Sequence, residues 1–324
     1  MLFSDVLGKA RIRYGGSTGK HCMNGASMMS LGGQNGVPDL QERGSGGDPA
    51  AYLPSNRETA ILGAIRRDGL GLEIGPSHSP LAPKRAGFNV HVLDHAGADA
   101  LRAKYVGHNV DLDNIEEVDF IWRGEPLPQL IGRERCYDWI IASHVIEHTP
   151  DFIGFLVQCE RLLSPDGVLA LVIPDKRYCF DTYQVPTSTG EVLDAHYQQR
   201  TRATPGKLFD HVANAAWLSP GGAIAWDPGN TSDVALLHTF DDAKSAWSRA
   251  QTSSDYVDVH NWRFTPSRFL LILQDLRALG LIGLGATDLP TWNGCEFYQV
   301  LRTAEYPLTF GRRELLERCR RELF

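Results

Sequence analysis

The polar content of the later part of this sequence is dominated by carboxylates set beside imidazoles. Asp194-Ala-His196, Asp210-His211 and Asp258-Val-His260 repeat that pairing, which orients a histidine as a general base or builds the shell of a metal ion. No two of these histidines share a helical metal spacing such as His-x-x-x-His, so no metal site is expected. The candidates for a base are His260, His211 and His144. The structural reading of the same residues has them capping helices and tying their segment down. A second set of residues points to nucleotide chemistry. Leu70-Gly-Leu-Glu-Ile-Gly-Pro76 reads as a short buried strand, with Leu70, Leu72 and Ile74 apolar, running into a turn freed by Gly75. A second strand, Asn89-Val-His-Val-Leu, ends in Asp94. A strand, a glycine turn and a second strand tipped with an acid form the mononucleotide-binding half of an open α/β sheet, where the acid takes ribose hydroxyls.

The elements needed to position these groups follow in order. Ser55-Asn-Arg-Glu58 reads as a capping box opening a helix through about Arg67. Val118–Trp122 and Tyr137–Ala142 are the third and fourth strands, and Thr149-Pro150 caps the helix after them. Ser164-Pro-Asp-Gly167 turns the chain into a fifth strand, Val168–Ile173. Strands alternating with helices at this spacing predict parallel pairing by right-handed crossovers. Residues 176–262 lack an obvious strand and read as a mostly helical insertion. Thr265-Pro266 opens a further helix, Leu281–Leu284 and Glu296–Leu301 form an antiparallel pair, and Arg312–Phe324 is a charged helix with Leu315, Leu316, Cys319 and Leu323 on one stripe. The organisation expected is a glycine-rich segment at 1–54 able to act as a lid, a nucleotide-binding core at 55–175, an acceptor-binding roof at 176–262, and the remainder of the core at 263–324. Gly15-Gly-Ser-Thr-Gly-Lys20-His21 is not a phosphate loop: its spacing is one short, and His21 stands where Ser or Thr should hold magnesium.

A chain of 324 residues, 43% hydrophobic and 22% charged, has the composition of a globular protein. No apolar run reaches the roughly 20 residues of a membrane span. The opening residues are too weakly apolar for a signal peptide. A net charge of −7 argues against nonspecific nucleic-acid binding. The six cysteines form no Cys-x-x-Cys pair and read as reduced core thiols, so a cytoplasmic protein is expected.

With these pieces in place, the sequence resembles the class I S-adenosylmethionine-dependent methyltransferases, in the small-molecule, type 11-like branch. The resemblance covers residues 70–175 well and 265–302 loosely. It rests on Glu73-Ile-Gly-Pro76, on Asp94, on Tyr137-Asp-Trp-Ile-Ile-Ala-Ser-His-Val-Ile-Glu-His148, and on Leu162-Leu-Ser-Pro-Asp-Gly-Val-Leu169. Ile173–Asp181 is also similar to a group of bacterial methyltransferases. The family fold implied is a doubly wound, Rossmann-like, mostly parallel seven-stranded sheet with the insertion after strand five. The resemblance implies S-adenosyl-L-methionine as cofactor. Glu73, Gly75, Pro76 and Ser77 would line its amino-acid end, Asp94 would hold the ribose, and His95 would flank the adenine. Ser143 and His144 would lie beneath the methionine portion. The first motif lacks the usual second and third glycines. Trp122 or Glu125 would substitute for the family's adenine-binding acid after strand three.

The reaction implied is methyl transfer to a small polar acceptor, a hydroxyl or amino group on a sugar- or amino-acid-like molecule. A thioether or thiol of an amino acid is the alternative acceptor. Acceptor contacts are assigned to His148, Arg177, Tyr178, His196, Trp262 and Arg263, with a structural role for each as the competing reading. A nicotinamide oxidoreductase would need Gly-x-Gly-x-x-Gly after the first strand, which Gly75-Pro-Ser-His78 does not supply. A non-catalytic cofactor-binding protein is the remaining class. A small-molecule acceptor, no nucleic acid, no membrane and a homodimer complete the expectations.

Overall fold

The computed structural model describes residues 55–253, 255–303 and 307–323. The glycine-rich segment expected to act as a lid therefore lies outside the described residues. Five parallel strands form the first part of the sheet: β1 (Gly71–Ile74), β2 (Val90–Asp94), β3 (Phe120–Ile121), β4 (Tyr137–Ser143) and β5 (Leu163–Pro174). Between and around them run α1 (Arg57–Leu62), α2 (Ala98–Tyr105), α3 (Leu127–Ile131) and α4 (Phe152–Leu162). The insertion holds α5 (Thr189–Tyr197), α6 (Pro205–Asn214), β6 (Ala216–Ser219), β7 (Asp233–Leu236) and α7 (Phe240–Ala250). The chain then returns to the core through α8 (Pro266–Ala278), β8 (Leu284–Ala286), β9 (Thr291–Asn293), β10 (Glu296–Thr303) and α9 (Arg312–Arg321).

The sheet order is β3-β2-β1-β4-β5-β10-β8, and β10 runs antiparallel to β5, β8 and β9. With the three-residue β9 hooked onto β10, the sheet has eight strands, one more than the sequence led us to expect. The order reverses between β1 and β4, and an open sheet of this kind has its crevice outside the carboxyl ends of those strands.

Period-2 burial explains why the central strands read as continuous apolar runs. Ile140 and Ala142 of β4 face one layer, with Leu72 and Ile74 of β1, while Trp139 and Ile141 face the other. The pairing of β4 with β5 shifts register between Tyr137 and Trp139, which puts Tyr137 on the same side as Ile140. Gly71 is required by this packing, since a Cβ there would lie 2.1 Å from the Trp139 ring. Among the helices, α8 is buried on nearly every side, through Phe269, Leu270, Leu271, Ile272, Leu273 and Leu276. Its outer cover is α9, with Leu315 and Cys319 buried; Leu316 is 41% and Leu323 37% exposed, so only part of the expected stripe faces the core.

Several boundaries differ from expectation. Asn56, not Ser55, caps α1, its side chain accepting from Thr59 N–H at 2.6 Å, and the helix ends at Leu62. Asp151 caps α4 by accepting from Gly154 N–H; Thr149 and Pro150 precede it, and His148 sits in a separate 3₁₀ turn, 146–148. The insertion is not wholly helical: β6 and β7 pair antiparallel in a two-stranded sheet whose strands are too short to show in an alternation pattern. Five cysteines among the described residues are free thiols, as expected, and three of them are buried.

Candidate functional site

At the end of β1 the backbone makes the turn in left-handed conformations. Gly75 has φ +66° and Ser77 +50°. Gly75 N–H donates to Leu93 O at 2.7 Å, which keeps the turn in the β2 ladder as the chain leaves the sheet. Ser77 N–H donates to Asp94 Oδ2 at 3.0 Å. The other carboxylate oxygen of Asp94 accepts from His95 N–H at 2.7 Å and lies 2.6 Å from His95 Nδ1. Asp94 is thus a buried clasp between two strand ends. Trp122 N–H donates to Asp94 O and its indole N–H donates to Glu125 O, so Trp122 lies beside the acid; Glu125 itself accepts from Arg123 N–H. Ser77 Oγ is buried and finds no hydrogen-bond partner among the described residues. A bare Gly75, an unsatisfied buried hydroxyl and an acid at a strand end fit the sugar and amino-acid portions of a nucleoside cofactor.

Glu73 does something else. Its carboxylate accepts from Leu81 N–H at 2.7 Å and Ala82 N–H at 3.1 Å, on the sheet face opposite Leu72 and Ile74. It pins the loop after the turn instead of lining a cofactor. Burial raises its pKa to about 7, against the opposing pull of the two amides.

A second left-handed residue, His144 (φ +52°), follows Ser143 at the end of β4, directly across the reversal of strand order. Its Nε2 lies 2.9 Å from Glu296 Oε2 on β10. Glu296 also accepts from Arg57 of α1 at 2.9 and 2.5 Å and from Tyr298 OH at 2.8 Å. Burial would raise the Glu296 carboxyl, but the bonds from His144 and Arg57 hold it at about 2. Burial would lower His144, but Glu147 and Glu296 raise it to about 9, so at neutral pH it is a fixed cation and not a base.

Beyond His144 lies a buried cluster. Glu147 is fully buried, and neither of its oxygens has a hydrogen-bond partner among the described residues. Three imidazoles face its Oε1: His144 Nδ1 at 3.5 Å, His148 Nε2 at 3.7 Å and His260 Nε2 at 3.9 Å. His148 Nδ1 lies 2.8 Å from Asp258, and His260 Nδ1 2.5 Å from Asp181. Backbone bonds stitch the two contributing segments together. Asn261 and Trp262 N–H donate to Glu147 O, and the Asn261 amide donates to His148 O.

The sequence paired these groups differently. Asp258 serves His148, not His260, and the partner of His260 is Asp181, 79 residues away. His196 pairs with Asp151 rather than Asp194, because residues two apart on a helix point to different sides. That contact clamps α5 to the cap of α4 and leaves His196 outside the cluster. His211 on α6 is buried against Phe180, and burial lowers its pKa to about 3, which makes it a weak base. Arg177 grips Asp175 and donates to Glu322 O near the end of α9; it is a structural tie, with Tyr178 stacked below its guanidinium. Trp262 is core: it is 1% exposed, packs against Phe152 and donates to Thr149 O. Arg263 is buried with its Nε 3.8 Å from Asp181, and its Nε and Nη2 find no hydrogen-bond partner among the described residues. Sequence reasoning left Glu147 as a structural acceptor and missed Asp181 and Glu296. No local signal marks those two, because their partners are remote in the chain.

Residues 51–224 match the family described as Methyltransferase domain, which is more than half of the chain. No curated protein matches the sequence. Among solved structures, the chain is similar to the CcbJ methyltransferase from Streptomyces caelestis (14% identity, 82% of this chain and 100% of that one, TM-score 0.40). It is also similar to a putative Zn-dependent alcohol dehydrogenase from Rhodobacter sphaeroides (16% identity, 77% and 90%, TM-score 0.41). At these scores neither likeness bears on function. No described helix is long and apolar enough to cross a membrane. The domain match across the motifs at the ends of β1, β2 and β4 decides the matter: the chain belongs to the class I S-adenosylmethionine-dependent methyltransferases and uses S-adenosylmethionine as its cofactor.

Proposed function

We propose that the enzyme transfers the methyl group to a hydroxyl or amino group of a small polar acceptor of sugar- or amino-acid-like size. The observation that carries this reading is the buried group of carboxylate-backed imidazoles around Glu147, one turn beyond the end of β4. Such a group prepares a protic acceptor, whereas a thioether needs no base.

The cofactor, when bound, supplies a methyl carbon already activated by its sulfonium. The chain's residues hold and orient the partners. Asp94 accepts the ribose hydroxyls, and the backbone of Gly75, Pro76 and Ser77 faces the amino-acid end. His95 and Trp122 flank the adenine, with Glu125 holding the Trp122 indole through its carbonyl. Ser143 and His144 lie under the methionine portion. His260, backed by Asp181, is the member of the cluster placed to take the acceptor's proton. Nε and Nη2 of Arg263, without hydrogen-bond partners among the described residues, suit an acceptor carrying a carboxylate or phosphate.

Transfer of labelled methyl to panels of alcohols, amines and thiols tests this. Hydroxyl or amino products, lost in Asp181→Asn, are expected. Products confined to thiols or thioethers, and insensitive to Asp181→Asn, overturn the reading in favour of S-methylation. In calorimetry, Asp94→Ala is expected to weaken S-adenosylhomocysteine about 100-fold, the worth of losing charge-assisted bonds to the ribose. Undiminished binding removes Asp94 from the site.

A further inference from the structure

We propose that Glu147, His148 and His260 form a binding site for a divalent transition-metal ion. Their ligand atoms lie within 4.8 Å of one another, and all three residues are buried. Glu147 Oε1 stands 3.7 Å from His148 Nε2 and 3.9 Å from His260 Nε2. Bonds of about 2.0–2.2 Å to a tetrahedral ion bring neighbouring donors to about 3.4 Å, so the two carboxylate–imidazole distances close by a few tenths of an ångström and the imidazole pair, within 4.8 Å, by up to about 1.4 Å.

Three further observations point to an ion. Glu147 carries a carboxylate in a fully buried position with no hydrogen bond to either oxygen among the described residues. The His144 cation, 3.5 Å from Oε1, meets that charge on one side and leaves the side toward His148 and His260 for an ion. Each histidine is also backed on its Nδ1 side by a buried carboxylate, His148 by Asp258 and His260 by Asp181. The Asp181 bond is the outer-shell contact that fixes the tautomer of a metal-binding imidazole and turns the Nε2 lone pair toward the ion, while Asp258 stands against His148 Nδ1 as an ion pair. Finally, the two segments supplying the donors are held by backbone and side-chain bonds from Asn261 and Trp262 to residues 147–149, so the set is assembled in advance. His144, with Nδ1 3.5 Å from Glu147 and Nε2 on Glu296, borders the site.

Two imidazoles and one carboxylate suit zinc, iron(II) or manganese; magnesium and calcium favour shells of oxygen. Three protein donors leave coordination positions open for an oxygen-bearing acceptor. With the ion bound, His260 Nε2 is a ligand and takes no proton; the ion, by acidifying the bound hydroxyl, takes over the part given above to His260 in the ion-free site. This last role rests on the acceptor reading above. The binding of the ion does not.

The test uses full-length protein stripped with a chelator and titrated calorimetrically with zinc or manganese alone, without cofactor or acceptor. One equivalent binding with micromolar or tighter affinity is expected. Glu147→Gln is expected to abolish it, Asp258→Asn to weaken it 10–100-fold, and His108→Gln, at an exposed histidine, to leave it unchanged. Circular dichroism checks the fold of each variant; should Glu147→Gln not fold, Asp258→Asn decides. Absence of a stoichiometric site in the wild type overturns the proposal, and so does wild-type affinity in Asp258→Asn. Intact ion binding with no transfer to alcohols or amines overturns the acceptor reading alone.

Discussion

At the carboxyl ends of β1 and β2, groups are positioned by backbone: two left-handed residues, a ladder bond from Gly75 to Leu93, and an acid held by the amides of Ser77 and His95. At the 147–149 turn the groups are brought together by long-range bonds, from backbone and side chains alike, between segments remote in the chain. Glu147, His148, Asp181, Asp258 and His260 converge from segments up to 113 residues apart and bury several charges together. The first region needs only a glycine and a short stretch of chain, and its features lie within 25 residues. The second exists only once the insertion has docked. A backbone-built site tolerates changes in its surroundings; a charge cluster depends on each partner, because removing one strands the others.

That contrast can be broken first at Trp262. If the docking of the insertion rests on this side chain, Trp262→Ala costs about 3–5 kcal/mol in urea unfolding, the range for deleting a large buried aromatic. A stable variant with only a raised KM would return Trp262 to the acceptor wall. A smaller effect is expected at Glu73. Its native pKa is about 7 against 4.5 for the free group, so the folded chain holds that proton more tightly than the unfolded one. Its contribution to stability therefore falls as pH rises from about 4.5 through 7, and then levels, by an amount on the order of 3 kcal/mol. Glu73→Gln should flatten that part of the pH–stability curve; an unchanged slope would show that Glu73 does not titrate there. The smallest effect is assigned to His196→Gln. The His196–Asp151 pair is partly exposed, so its loss should cost under about 1 kcal/mol and leave acceptor KM unaltered. A raised KM would bring His196 back into the site.

Legibility in the sequence followed the same division. Strands β1, β2, β4 and β5, the Gly75 turn and Asp94 were readable because each is signalled by residues within one element. The family followed from those elements. Histidines could be recognised as significant, but their partners could not be read. Asp258 is two residues from His260 in sequence yet faces His148, and Asp181 announces nothing of His260. The acid–imidazole motifs along the insertion were true as composition and misleading as geometry. Glu73 shows the converse case: a family motif position whose carboxylate here serves the loop behind it.

The bracket formed by Arg57, Glu296 and His144 has a consequence for synthesis on the ribosome. It joins a helix made before the sheet to the strand made near the end of the chain. In a nascent chain that has released β1 to β5, β5 still lacks its antiparallel neighbour β10, and His144 has Glu147 but not yet Glu296 to hold it. Until residue 296 emerges, that edge is open to pairing with other chains, a hazard that ends when β10 docks. Release of β10 is thereby a condition for closing the bracket around His144.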